Sequence, residues 1–175
     1  MSRSFFLLML AATCLSSQPV HAGGTDRALD AFHRTCVAQG PDFERTMTLA
    51  KTRGWAPLSG DAALAPVDEM TAFQAWQTVG EDLPAGAMVA VAKGTMDGRA
   101  VQICSVKLLD VDRAEFEKRF FERTDAEKIG EARKGKQLSR LYLLIASNRR
   151  QMVHLTSSAV EGIPNILIAS SIVDK

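Results

Sequence analysis

The sequence predicts an α+β domain in which N-terminal helices pack on a mostly antiparallel five-stranded sheet, with one helix inserted between the second and third strands. Three observations lead there. Apolar residues recur at helical spacing up to Gly80, near-alternation takes over from Ala87, and short turn-forming stretches separate the later apolar runs, as hairpins require.

Residues 1–22 read as a signal peptide. Arg3 lies beside the amino terminus, an apolar run extends from Phe5 to Leu15, and Val20-His21-Ala22 offers small residues at the last and third-last positions. The run is too short to span a bilayer core of about 30 Å. Cys14, preceded by Thr13 within a continuing apolar run, fits a lipidation site poorly. The expected mature chain, residues 23–175, is a single domain. Without Arg3, Cys14 and His21 it keeps 20 basic and 20 acidic residues, two histidines and two cysteines. A chain of this size buries roughly two thirds of its unfolded surface. Its balanced charge gives no global electrostatic case for nucleic acid, and no later apolar run is long and clean enough to cross a membrane.

The first helix is expected from Thr25 or Asp26 to Gly40-Pro41, with Leu29, Phe32 and Cys36 on one face. Asp42 caps a second helix carrying Phe43, Met47 and Ala50. That helix stops at Gly54 in a left-handed conformation, with Trp55 folded back over Leu49 or Ala50. Leu58 to Pro66 reads as a loop. A short third helix is expected from Asp68, with Met70, Phe73 and Trp76 as its stripe and Gly80 as its stop.

Then AMVAVAK and RAVQICSVKLL form a hairpin around a five-residue GTMDG loop. In DVDRAEFEKRFFE, Asp112 and Glu115 make a capping box and Val111 staples onto Phe116, which stacks with Phe120 toward the core. Three strands close the chain: Leu138 to Ser147, Gln151 to Ser158 and Asn165 to Val173. Asn148-Arg149-Arg150 and the Gly162-Ile163-Pro164 region form their turns.

An even pair of cysteines in an exported chain is most simply a disulfide, Cys36 to Cys104. A nucleophilic Cys36 with His33 as base meets two objections. Reactive thiolates sit at helix N-termini, whereas Cys36 lies late in its helix, and its spacing from Leu29 and Phe32 turns it inward. A metal site from Cys36, Cys104, His33 and His154 lacks close paired ligand spacing, so no metal and no cofactor are expected. There is no Gly-x-Ser-x-Gly elbow, phosphate-binding loop, His-Glu-x-x-His or haem motif. Asp110 and Asp112 suit capping better than acid–base work. A hydrolase would have to be built on His154, which alternates with Met152 and Thr156, using Ser105, Thr156 or Tyr142 from a neighbouring strand.

Charge is concentrated late in the chain. Between Lys128 and Arg150, seven basic residues (Lys128, Arg133, Lys134, Lys136, Arg140, Arg149 and Arg150) face one acid, Glu131. Lys134, Lys136, Arg140, Arg149 and Arg150 form a candidate patch for an anionic partner, either a protein or an anionic surface in the cell envelope; the competing reading is an ordinary solvated hairpin. Aromatic residues do not interleave with these cations, which argues against nucleic acid.

The framework of Cys36 in an early helix, Gly54-Trp55, Trp76 and Cys104 in a strand resembles small uncharacterised exported proteins of Gram-negative bacteria, over residues 31–106. The resemblance implies export and a disulfide, and no activity. The function expected is a non-catalytic periplasmic binding module, of inhibitor, immunity or small-ligand type. The alternatives are a small hydrolase using His154 or a structural envelope component. Thiol titration of the denatured mature chain should find no free thiol before reduction and two after it; two throughout would remove the bridge.

Overall fold

The computed structural model describes residues 22–59, 67–79, 83–158 and 166–175. Residues 1–21 of the expected signal peptide, the Gly162-Ile163-Pro164 turn and residues 60–66 of the expected loop lie outside them. Three α-helices, α1 (Ala22–Phe32), α2 (Phe43–Thr52) and α3 (Arg113–Arg123), accompany eight strands. The strands are β1 (Ala56–Leu58), β2 (Glu69–Gln77), β3 (Met88–Met96), β4 (Arg99–Leu109), β5 (Glu127–Lys134), β6 (Gln137–Ala146), β7 (Arg149–Ser158) and β8 (Ile166–Asp174).

All eight join one antiparallel sheet in the order β1-β2-β3-β4-β8-β7-β6-β5. Two four-stranded meanders thus meet at β4 and β8. This corrects the expectation of a five-stranded sheet under N-terminal helices: three further strands were hidden in the sequence, each for a physical reason.

The segment expected to be a third helix from Asp68 is β2. A bulge between Met70 and Ala72 places both Met70 and Phe73 opposite residues of the same face, Gly94 and Ala92. The resulting three-residue spacing imitates a helical stripe. β5 holds Glu127, Lys128, Glu131, Arg133 and Lys134 and is exposed along most of its length, so it carries almost no alternation. β1 has three residues and a proline, tolerable only on an edge.

Two turns are also tighter than expected. Met96 pairs with Arg99, leaving Asp97-Gly98 as a two-residue turn with φ of 50° and 73°; Ala146 pairs with Arg149, leaving Ser147-Asn148 at 48° and 58°. Both are primed hairpin turns that match strand twist. Arg149 and Arg150 therefore belong to β7 rather than to a turn.

The helical expectations for α2 and α3 hold. Asp42 accepts a hydrogen bond from the Arg45 N–H at 2.7 Å, and Asp112 from the Glu115 N–H at 2.9 Å. After α2, the Gly54 N–H reaches the Lys51 carbonyl and the Trp55 N–H the Ala50 carbonyl, with Gly54 at φ 64°. α1 begins earlier than expected and continues into a π-helical turn, His33–Val37.

One face of the sheet carries the helices. Phe32, Phe116, Phe120, Trp55 and Trp76 pack there with Val89, Val106, Tyr142, Leu155 and Ala169. Cys36 and Cys104 are fully buried in this layer and form the disulfide, with Cα atoms 5.2 Å apart.

Gly94 marks a close approach of β3 to β2. A Cβ there would overlap the Glu69 carbonyl oxygen, forcing β2 away from β3. Gly94→Ala should cost about 1–3 kcal/mol, the usual range for overpacking, and urea denaturation should show it as a lower midpoint at unchanged slope; an unchanged midpoint would show that β2 yields freely.

Candidate functional site

Opposite strands share faces, so their registers define what the helix-free face presents. One transverse row runs Phe73, Ala92, Ile103, Ile172, Met152, Leu143, crossing six strands without a polar side chain. The adjacent row runs Ala75, Ala90, Ser105, Ser170, His154, Leu141, Gly130. None of the three helices packs against these rows; Val67 and Met96 extend the apolar cluster around Ile103 and Ile172.

Two depressions lie on this face, near opposite ends of β7. The first, about 260 Å³, has Ile129, Leu143, Met152 and Ile172 as apolar lining and Arg99, Arg150 and Asp174 as polar rim. Arg99 and Asp174 pair at 3.1 Å. Arg150 has no ion-pair partner among the described residues. The second, about 370 Å³, is lined by Ile166, Ile168 and Thr156, with Lys134 and Lys136 at its edge, and neither lysine has an ion-pair partner among the described residues. Four residues separate Met152 from Thr156 on β7, about 13 Å at 3.3 Å per residue.

The candidate cationic patch is therefore divided. Lys134 and Lys136 flank the β5–β6 turn, whereas Arg149 and Arg150 open β7 at the far end of β6. Ten residues of β6 intervene, about 30 Å. Arg140 points to the other face. There it pairs with Glu117 of α3 and, at 2.9 Å, with Glu131, which also accepts from Lys128. Lys128 and then Arg140 hold the Glu131 carboxyl down to about 2. The buried Tyr142 hydroxyl donates to Glu117, and burial followed by that carboxylate pushes the phenol upward. Arg140 thus docks α3 onto β6 rather than facing a partner.

The other sequence candidates also find their places. His33 is exposed, and its neighbour Cys36 is committed to the disulfide, so the pair has no thiolate to activate. Ser105 and Ser170 are each about 1% exposed and bond to one another at 2.7 Å. His154 lies 3.4 Å from the Thr156 hydroxyl, and Tyr142 is on the opposite face. Of the hydroxyls a His154 hydrolase could use, Ser105 is buried against Ser170 and Tyr142 lies on the other face, whereas Thr156 is beside the ring. Among the described residues, no group of three or more metal-ligating side chains is placed to hold an ion.

Sequence reasoning missed Arg99, Asp174 and Ile129 altogether. Arg99 and Asp174 are neighbours only through the β4–β8 register, across 75 residues, and Ile129 lies in a strand without apolar alternation. Comparison of the chain with protein-family models, curated proteins and solved structures gives no match.

His154 supplies a direct test of how dry this face is. Burial lowers its pKa from 6.5. The neutral ring is therefore favoured in the folded state, so its contribution is complete above pH 6.5 and is lost as acid protonates it. His154→Gln should flatten the decline in stability between pH 6.5 and pH 5, measured as urea midpoints. An identical decline in the variant would mean that the ring is well solvated.

Proposed function

We propose that the chain is an exported, disulfide-stapled, non-catalytic binding module whose recognition surface is the helix-free face of the sheet. The single observation that carries this reading is the pairing of two depressions, each with aliphatic side chains in its lining, with cations that have no ion-pair partner among the described residues, Arg150 at one and Lys134 and Lys136 at the other. Around the first depression the apolar surface extends to Ile129 and Ile145, which are 48% and 76% exposed. Ile145 lies directly opposite Arg150. Large exposed aliphatic side chains grouped beside an arginine mark contact surfaces more often than solvated sheet. Export rests on the leader-like residues 1–22 and agrees with an oxidised, buried cysteine pair. No helix among the described residues is long and apolar enough to cross a membrane.

The geometry disfavours the hydrolase alternative, because the Ser105 and Ser170 hydroxyls satisfy each other in the dry part of the sheet. The partner class this surface suits carries negative charge beside apolar groups.

A photocrosslinking residue placed at Ile145, compared with one at Lys51 on α2, tests the choice of face in the full-length chain expressed with its leader. Adducts should form from position 145 and not from position 51. Adducts from position 51 alone, or from neither position, would overturn the reading.

A further inference from the structure

We infer that the depression between Arg99, Arg150 and Ile129 is a binding site for a small amphipathic monoanion, a short-chain alkyl carboxylate in chemical class. The inference deepens the proposed function and rests on the helix-free face being the binding surface.

The shape comes from the registers. Ile172, Met152 and Leu143 are consecutive partners on β8, β7 and β6, giving a three-strand apolar floor. Ile129 sits at the β5 bulge between Lys128 and Gly130, which carries its side chain to the floor's open edge. At the end of this floor Asp174, opposite Val101, pairs diagonally with Arg99 two residues along β4, and Arg150 follows on β7.

Charge then selects the ligand. The Asp174 carboxylate is matched by Arg99 at 3.1 Å, so among the described residues the rim carries one uncompensated positive charge, that of Arg150. One carboxylate answers it, and the guanidinium fork meets both oxygens at once. A dianionic head would bring its second charge against Asp174. A neutral head would leave Arg150 without a counter-charge above newly buried apolar surface. The volume, about 260 Å³, is at the small end of ligand sites, which suits a short chain rather than a long acyl tail.

Arg150 was anticipated as part of a chain-contiguous patch, but its setting is different. It acts with residues from β4 and β8 and with the aliphatic side chains beneath it, not with Lys134, Lys136 or Arg140.

The test uses the oxidised full mature chain with octanoate, octanol and octyl phosphate, by isothermal titration at pH 8 and low salt. Octanoate should bind saturably at one site, at least tenfold tighter than octanol or octyl phosphate. Arg150→Gln should remove that tenfold preference while leaving octanol unchanged, and Lys51→Gln should alter nothing. Equal affinity for the three ligands, no saturable octanoate binding, or octanoate binding indifferent to Arg150→Gln would each overturn the inference. Such a result alongside position-145 crosslinks would leave the face as the binding surface and remove only the ligand class; loss of the crosslinks as well would remove both.

Discussion

The ladder between β4 and β8 is the constraint to which the rest of the molecule is referred. It runs from Val101 opposite Asp174 to Leu109 opposite Ile166 and is, among the described residues, the only pairing between the two meanders. Without it, each meander would expose the full edge of a long apolar strand, a template for aggregation. With it, the open edges fall to β1, three residues long with a proline, and to β5, which is bulged and charged. The strands that could not be left at an edge are inside. Ser105 and Ser170, at the centre of this ladder, are 65 residues apart in the chain. Non-local pairing of this kind forms late and slowly in folding.

Helices reach this ladder through few but well-anchored contacts. The disulfide ties the π-helical turn to β4 at Cys104. Gln151, buried on β7, donates to the Val37 carbonyl at 2.9 Å and accepts from Ser171 at 2.7 Å. Gln102 accepts from the Phe43 N–H at the start of α2, also at 2.9 Å. The passage from α1 to α2 is thus held to two strands, β4 and β7, by groups that would be costly to bury unpaired. At the far side, Arg123 joins α3 to α1 through Asp26 and Asp30, and Phe32 faces Phe116 with ring centroids 6.4 Å apart. The helical layer is consequently fixed, and the opposite face of the sheet is left for other uses.

How much of this was legible depended on whether a signal was local. The caps at Asp42 and Asp112, the stop at Gly54-Trp55 and the β3–β4 hairpin were readable because each is decided within a few residues. The disulfide was readable because the residues after the leader-like segment hold two cysteines, which leave one pairing. β2 was misread because its bulge converts a period of two into an apparent three, and β5 was invisible because its pairing with β6 needs no apolar face of its own. Five strands were therefore visible where the described residues hold eight. The candidate site suffered most, since Arg99, Asp174, Arg150 and Ile129 come from four strands whose order no local feature encodes.

Charge counting along the chain misleads in a β protein for a related reason. Seven cations between Lys128 and Arg150 looked like one patch, yet hairpin geometry spreads them over two faces and two ends. Lys128 and Arg140 are matched by Glu131 and Glu117, and that network holds α3 to the sheet. The remaining cations gain significance from their surroundings rather than their number. A partner that covers Met152 and Ile172 must also desolvate Arg150, and a guanidinium buried without a counter-charge costs several kcal/mol. A neutral apolar partner bears that penalty in full, whereas an anionic one removes it. On the proposed function, discrimination on this face comes as much from what Arg150 rejects as from what it attracts.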